Sequence, residues 1–171
     1  MSSMELTIDA NKLQKAILKA PDKLEANLSK AIERVTQEMA RSAKRHAPKA
    51  FSILVNSIRA KKVAVLEGQV APGVNYAEAV ERGTGIYGPA GTPSGKMPPL
   101  SSIEDWVKVT GIRPRETGQT QRDVAWLIAR KIALTGTKPQ PYMQPAFDEN
   151  RKRAEQRIND AIDKAINEAG G

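Results

Sequence analysis

Leu24, Leu28, Ile32, Val35, Met39 and Ala43 recur at intervals of four, four, three, four and four residues. No other feature constrains this chain as much. Only an α-helix brings residues so spaced onto one side of the backbone. Pro21 stands where a helix tolerates proline, in its first turn, and Pro48 forbids continuation. The spacing therefore predicts one helix from Pro21 through about His46. A stripe this long and narrow must be covered by a sheet or by another helix.

Around that helix the periods change. Residues 4–8, MELTI, alternate weakly and are expected to form a short first strand. Asp9 occupies an N-cap position ahead of Leu13, Ala16 and Ile17, which predicts a short first helix. Between residues 52 and 74, Ile53, Val55 and Ile58, then Val63, Val65, Val70 and Val74, read as strands. Glu67-Gly68 is the expected hairpin turn. Residues 75–85, NYAEAVERGTG, predict a turn and a half of helix with Tyr76, Ala77 and Val80 on one side. Gly83-Thr84-Gly85 breaks it.

Residues 86–99 are rich in glycine and proline and read as a loop. Their GTPSGK segment resembles a phosphate-binding loop only superficially. The glycine required five positions before Gly95 is Ala90, and Met97 replaces the hydroxyl residue that would hold magnesium. Ser101 and Glu104 read as a capping box for a helix carrying Ile103, Trp106 and Val107 and ending at Gly111. Thr120 and Asp123 cap the next helix, whose expected buried face is Val124, Leu127, Ile128 and Ile132, and Gly136 stops it. Prolines 139, 141 and 145 predict an extended stretch over residues 137–145. A last helix follows from Ala146, with Phe147, Ala154, Ile158, Ala161, Ile162, Ala165 and Ile166 on one face. Arg151, Lys152, Arg153 and Arg157 sit near its start, where the helix dipole disfavours cations, so an acidic counterpart is expected.

The expected fold class is α+β: a small antiparallel sheet packed against a long N-terminal helix and a C-terminal helix, with a two-helix insertion. All 171 residues are expected to form one domain, with residues 86–136 as the loop and two-helix insertion. Aromatic residues make up only 4% of the chain, so its core must be built from Ala, Ile, Leu and Val.

Function classes narrow in the same way. There are no cysteines, which removes disulfides, thiolate metal sites and cysteine nucleophiles. His46 is the single histidine, at a helix C-terminus and without a motif-placed acidic, Ser or Cys partner. No paired carboxylates and no nucleophile elbow occur, so no enzyme, cofactor or metal is expected. No apolar run approaches the roughly 20 residues of a membrane span, and residues 1–9 do not read as a secretory leader. The net charge is +8. Residues 41–62 hold Arg41, Lys44, Arg45, Lys49, Arg59, Lys61 and Lys62 with no Asp or Glu, a candidate surface for DNA or an acidic partner.

Several fragments also fit a recurring order: Pro48, Leu54, Ser57 and Ile58; Tyr76-Ala77, Glu81 and Gly83-Thr84; Pro98-Pro99; Ile128 through Ile132; Gly136-Thr137-Lys138-Pro139; and Pro141 through Ala146. In that order and spacing the chain resembles the HK97 gp10-like family of tailed-phage and prophage proteins over nearly its whole length. At Phe51-Ser52 it departs from the Thr-Gly usual in that family. The resemblance implies a virion-assembly protein of the neck or tail end: a head–tail connector, tail-completion or tail-terminator component. Such a protein works as a homo-oligomeric ring, hexamer or dodecamer, through which DNA passes. The implied partners are further copies of itself, portal, adaptor or other neck proteins, the tail tube, and DNA in the lumen, but no membrane. The implied location is the virion, and the host cytoplasm during assembly. In that reading Tyr76, Glu81, Thr84, Pro141, Tyr142 and Pro145 form or border the contact between subunits. The alternative is a basic nucleic-acid-binding protein, which the charge favours.

Overall fold

In the computed structural model, residues 7–49, 52–93 and 95–169 are described. Residues 4–6 of the expected first strand lie outside them, and Thr7 and Ile8 are not in a strand. The Asp9 carboxylate accepts the backbone N–H groups of Asn11 and Lys12 at 3.0 and 3.2 Å and so starts α1 (Ala10–Lys19). Pro21 then opens α2 (Pro21–His46) as one uninterrupted helix.

The class is α+β: mostly helical, with one two-stranded antiparallel sheet among the described residues. After α2 come α3 (Ser52–Ser57), β1 (Arg59–Ala64), β2 (Glu67–Ala71) and α4 (Ala77–Arg82). A 3-10 turn (Gly85–Tyr87), α5 (Leu100–Thr110), α6 (Gln121–Thr135) and α7 (Met143–Ala169) complete the chain. Two compact units emerge. The first is drawn from Met1–His46, Asn56–Gly73 and Tyr142–Gly171, the second from Ala47–Val55 and Val74–Pro141. The stretch 86–136 lies within the second.

The first unit is organised by α2 and α7. Asn27 reaches Glu168, Glu38 meets Arg157, and His46 meets Glu149, so the two helices run antiparallel. Their shared core is Leu24, Ala31, Ile158, Ala161, Ile162 and Ala165, joined by Ala16 of α1 and continued by Val35, Met39 and Ala154. The alanines let the backbones approach, and Ile and Leu fill the remaining space. Each fully buried Ile or Leu contributes about 1.5–3 kcal/mol through removal of apolar surface from water. Both long stripes read from the sequence face this core, with Leu28, Ile32, Phe147 and Ile166 half-buried at its margin. The expected acidic counterpart of the α7 cations exists for Arg157, whose guanidinium lies 2.6 Å from Glu38 of α2. Arg151 instead pairs with Glu155 one turn on, at 3.4 Å.

The hairpin differs from its sequence reading in two respects. Ile53 and Val55 belong to the short helix α3, because the buried residues are Leu54 and Ile58, four apart, whereas Ile53 is 69% exposed. The turn falls at Val65-Leu66, and Glu67 and Gly68 are the first residues of β2. Gly68 is required by packing. A Cβ there would overlap the Thr36 hydroxyl, so its absence lets β2 lie close on α2. Val70 packs beside Val35 and Met39, whereas Val74 lies beyond the strand in a bend. The strands pair Arg59 with Ala71, Ala60 with Val70, Lys61 with Gln69 and Lys62 with Gly68, then slip by a bulge before Ala64 meets Glu67.

In the second unit α5 packs on α6. The Thr120–Asp123 capping box forms as expected, with mutual hydrogen bonds of 2.9 and 3.2 Å. The Ser101–Glu104 box does not. Helix α5 begins two residues earlier, at Leu100, because the Pro99 carbonyl already accepts the Ser102 N–H at 3.1 Å. Glu104 turns to Arg122 instead, at 3.5 Å. The expected α6 face holds in part, with Val124, Ile128 and Ile132 half-buried. Ala125, Ala129 and Ala133 are its buried residues, and Leu127 is 48% exposed. Finally, α7 begins at Met143, earlier than Ala146, with Pro145 in its first turn where the missing N–H has no intrahelical acceptor to lose.

Candidate interaction surfaces

The stretch 75–85 leads into the most tightly built point of the second unit. Helix α4 ends at Gly83, and the chain then meets residues more than fifty positions later. The Thr84 N–H donates to the Thr137 carbonyl at 2.9 Å, and the Thr137 N–H donates to the Thr84 hydroxyl at 3.0 Å. The two hydroxyls lie 2.9 Å apart. Close by, the Gln140 N–H donates to the Val80 carbonyl at 2.8 Å. Gly136 has φ of +83°, and any Cβ on it would overlap the Thr84 carbonyl. Glycine is therefore needed there both for its backbone angle and for lack of space. The sequence reading found the two Gly-Thr steps but not their meeting. The signal was their likeness, GTG at 83–85 and GTKP at 136–139.

This clamp absorbs part of the candidate contact set. Thr84 is half-buried and spends its hydroxyl on Thr137. Tyr76 is half-buried, and burial raises its phenol above the usual value of 10.0. Glu81 is half-buried and Pro141 exposed. Tyr142 and Pro145 belong to the first unit; Tyr142 is 1% exposed, an interior residue, and Pro145 is half-buried.

Six of the seven cations belong to the first unit, on two of its elements. Arg41, Lys44 and Arg45 occupy the last turns of α2, where cations complement the helix dipole. Arg59, Lys61 and Lys62 lie on β1, all of whose residues are exposed. Lys49 belongs to the second unit. Three are engaged locally: Arg45 lies 3.2 Å from Glu149, Lys62 donates to the Ser29 hydroxyl at 2.7 Å, and the Arg59 guanidinium donates to the Asn56 carbonyl.

Around Glu149 the first unit places a Ser, a His and an Arg on one carboxylate. The buried Ser42 hydroxyl donates to it, and His46 Nε2 lies 3.2 Å from the same oxygen, Oε2. The Ser42 hydrogen bond, then that of His46, and then the Arg45 charge hold the Glu149 carboxyl below its usual range. Serine and histidine here converge on an acceptor. A nucleophile would need its hydroxyl on the imidazole as base, so this cluster ties α2 to α7 and has no catalytic arrangement. Among the described residues, no group of three or more His, Asp or Glu is placed to hold a metal ion. None of the described helices is long and apolar enough to cross a membrane.

Sequence reasoning missed the exposed apolar residues altogether. On α6, Trp126, Leu127 and Leu134 are 45%, 48% and 60% exposed, while Ala125, Ala129 and Ala133 are buried and Val124, Ile128 and Ile132 half-buried. Trp126 carries Arg130 over its ring at 5.7 Å. At the hairpin tip Val63, Val65 and Leu66 are each about half exposed. Compared with family models, curated proteins and solved structures, the chain matches none of them.

Proposed function

We propose that this protein is a structural subunit of the neck or tail end of a tailed-phage particle, a connector, tail-completion or tail-terminator component that works as an oligomeric ring around DNA. The resemblance in the sequence supplies the family. The observation that carries the reading is the apolar volume that α6 displays outward. Ala125, Ala129 and Ala133 are buried, and Trp126, Leu127 and Leu134 are exposed. Large apolar side chains displayed together are costly in water unless another chain covers them. A net charge of +8 suits a subunit whose ring encloses DNA. In this reading the partners are other copies, portal or adjoining neck proteins and the tail tube, the site of action is the virion, and no reaction is catalysed.

Native mass spectrometry of the purified protein, alone and with portal or tail tube, tests the reading. A closed ring of defined order is the expected species. A chain that stays monomeric with both partners overturns it. The exposed Arg59 and Lys61 on β1 favour a second reading, a basic nucleic-acid-binding protein acting without a ring. Nanomolar DNA affinity with a steep salt dependence in the monomer would select that one.

A further inference from the structure

The hairpin β1–β2 is a sheet with two open edges. Sheets this small are marginal in water unless something packs on them or extends them. One face is served by α2, through Gly68 against Thr36 and Val70 beside Val35 and Met39. By alternation Arg59, Lys61 and Val63 on β1, and Gln69 and Ala71 on β2, share the other face, with Glu67 exposed at the start of β2. The outer backbone groups of each strand have no third strand beside them among the described residues.

The two edges are chemically unlike. β1 presents Arg59, Lys61 and Lys62; β2 presents Glu67 and Gln69 and no cation. An exposed edge bearing lysines resists pairing with its own kind, since two copies of β1 side by side would set like charges opposite one another. Pairing β1 of one copy with β2 of the next sets Lys61 against a carboxylate and continues the antiparallel alternation. One hairpin therefore carries both halves of a complementary contact. A contact between different surfaces of identical chains is head-to-tail, and repeats until it closes.

We infer that the β1 edge of one copy pairs with the β2 edge of a second copy, so that the two-stranded hairpins join into one sheet running through the assembly. The occupant of each edge is another copy of this chain. This rests on the ring reading above and specifies its contact. The bulge between Lys62 and Ala64 ends regular pairing near the tip, which confines the contact to residues 59–62 of one copy and about 67–71 of the next.

Charge reversal tests the pairing with residues that are exposed in the monomer. Lys61→Glu gives a hairpin with acidic groups on both edges, and Glu67→Lys one with cations on both. Each variant alone should assemble about tenfold more weakly per contact than wild type, from replacing one favourable cross-strand charge pair by an unfavourable one. Mixed in equal amounts, the two variants should assemble again, alternating around the ring, because every contact then joins a lysine to a glutamate. Sedimentation velocity and native mass spectrometry read the outcome, and circular dichroism confirms that each variant remains folded. Single variants that assemble like wild type overturn the edge pairing and leave the ring reading standing. A mixture as dissociated as its components overturns it equally. A wild type that stays monomeric with portal and tail tube present removes both.

Discussion

The pairing of α2 with α7 and the meeting of residues 83–85 with 136–140 solve the same problem in opposite ways. Both join segments distant in sequence. The helices do so with many side chains, none of them decisive alone, set at helical periods over six turns or more. The Gly-Thr clamp does so with backbone, where a few hydrogen bonds and the absence of a single methyl group fix the geometry. Distributed contacts leave a periodic trace in the sequence and degrade gradually on substitution. A backbone clamp leaves almost no trace and fails at one atom.

The sharpest way to break that contrast is Gly136→Ala. The added Cβ requires a strained positive φ and overlaps the Thr84 carbonyl, which no side-chain rotation relieves. A loss above about 3 kcal/mol is expected, from strain together with overpacking. Hydrogen exchange should show faster opening at Thr84, Thr137 and Gln140 first. A variant with wild-type denaturation and unchanged exchange there would show that the clamp is not what holds these segments.

The helical pair should respond by degrees. Ile162 is fully buried, so Ile162→Ala should cost about 3 kcal/mol and Ile162→Val about 1 kcal/mol, measured by chemical denaturation. Equal costs for the two would mean that the α2–α7 core cannot relax and behaves like the clamp.

These differences explain what was legible. Leu24 through Ala43 and Ala154 through Ile166 were readable because the buried face repeats. Thr120 with Asp123 was readable because a capping box is local. Ser101 with Glu104 has the same local form and was overridden by Pro99, whose carbonyl starts the helix first. Gly68 looked like a turn residue, but its role is set by Thr36, thirty-two positions earlier, and no local rule contains that. Leu127 shares helical spacing with Val124, Ile128 and Ile132, yet it is exposed while they are half-buried, and spacing alone does not separate them. The candidate contact residues were chosen from fragments, and fragments do not say which side chains are spent inside. Tyr142 and Thr84 are spent that way; Pro141 is exposed.

A cap compares the regions at lower energy. Thr120→Ala removes the hydroxyl that accepts the Asp123 N–H at 3.2 Å, and should cost about 1 kcal/mol. The same hydroxyl is the first cause that holds the Asp123 carboxyl below its usual 3.8, followed by the Thr120 backbone N–H. In the variant that carboxyl should titrate closer to its ordinary value, as followed by carbon-detected NMR. An unmoved titration would place the backbone hydrogen bond ahead of the hydroxyl.

The smallest expected effect is the acid response of the carboxylate that joins the long helices. The Glu149 pKa lies below its ordinary 4.5, chiefly through Ser42, then His46 and Arg45. A carboxyl depressed on folding binds fewer protons in the folded than in the unfolded chain as the two titrate. Its stabilisation is therefore complete above the unfolded value and fades as pH falls through the folded one. Glu149→Gln should be less stable than wild type at neutral pH, and the gap should close as pH falls from about the ordinary 4.5 through the lower folded value. The side chain is half exposed, so solvent screens the pair and the gap is small compared with Ile162→Ala. The direction with pH is the decisive reading. Mutating a purely packing contact shifts stability equally at every pH, whereas this substitution should converge with wild type in acid. A gap that stays constant down to pH 2 would make Glu149 one more packing residue of the α2–α7 seam. Convergence would mark it, beside the Arg157–Glu38 pair, as a charged fastening in a contact otherwise largely apolar.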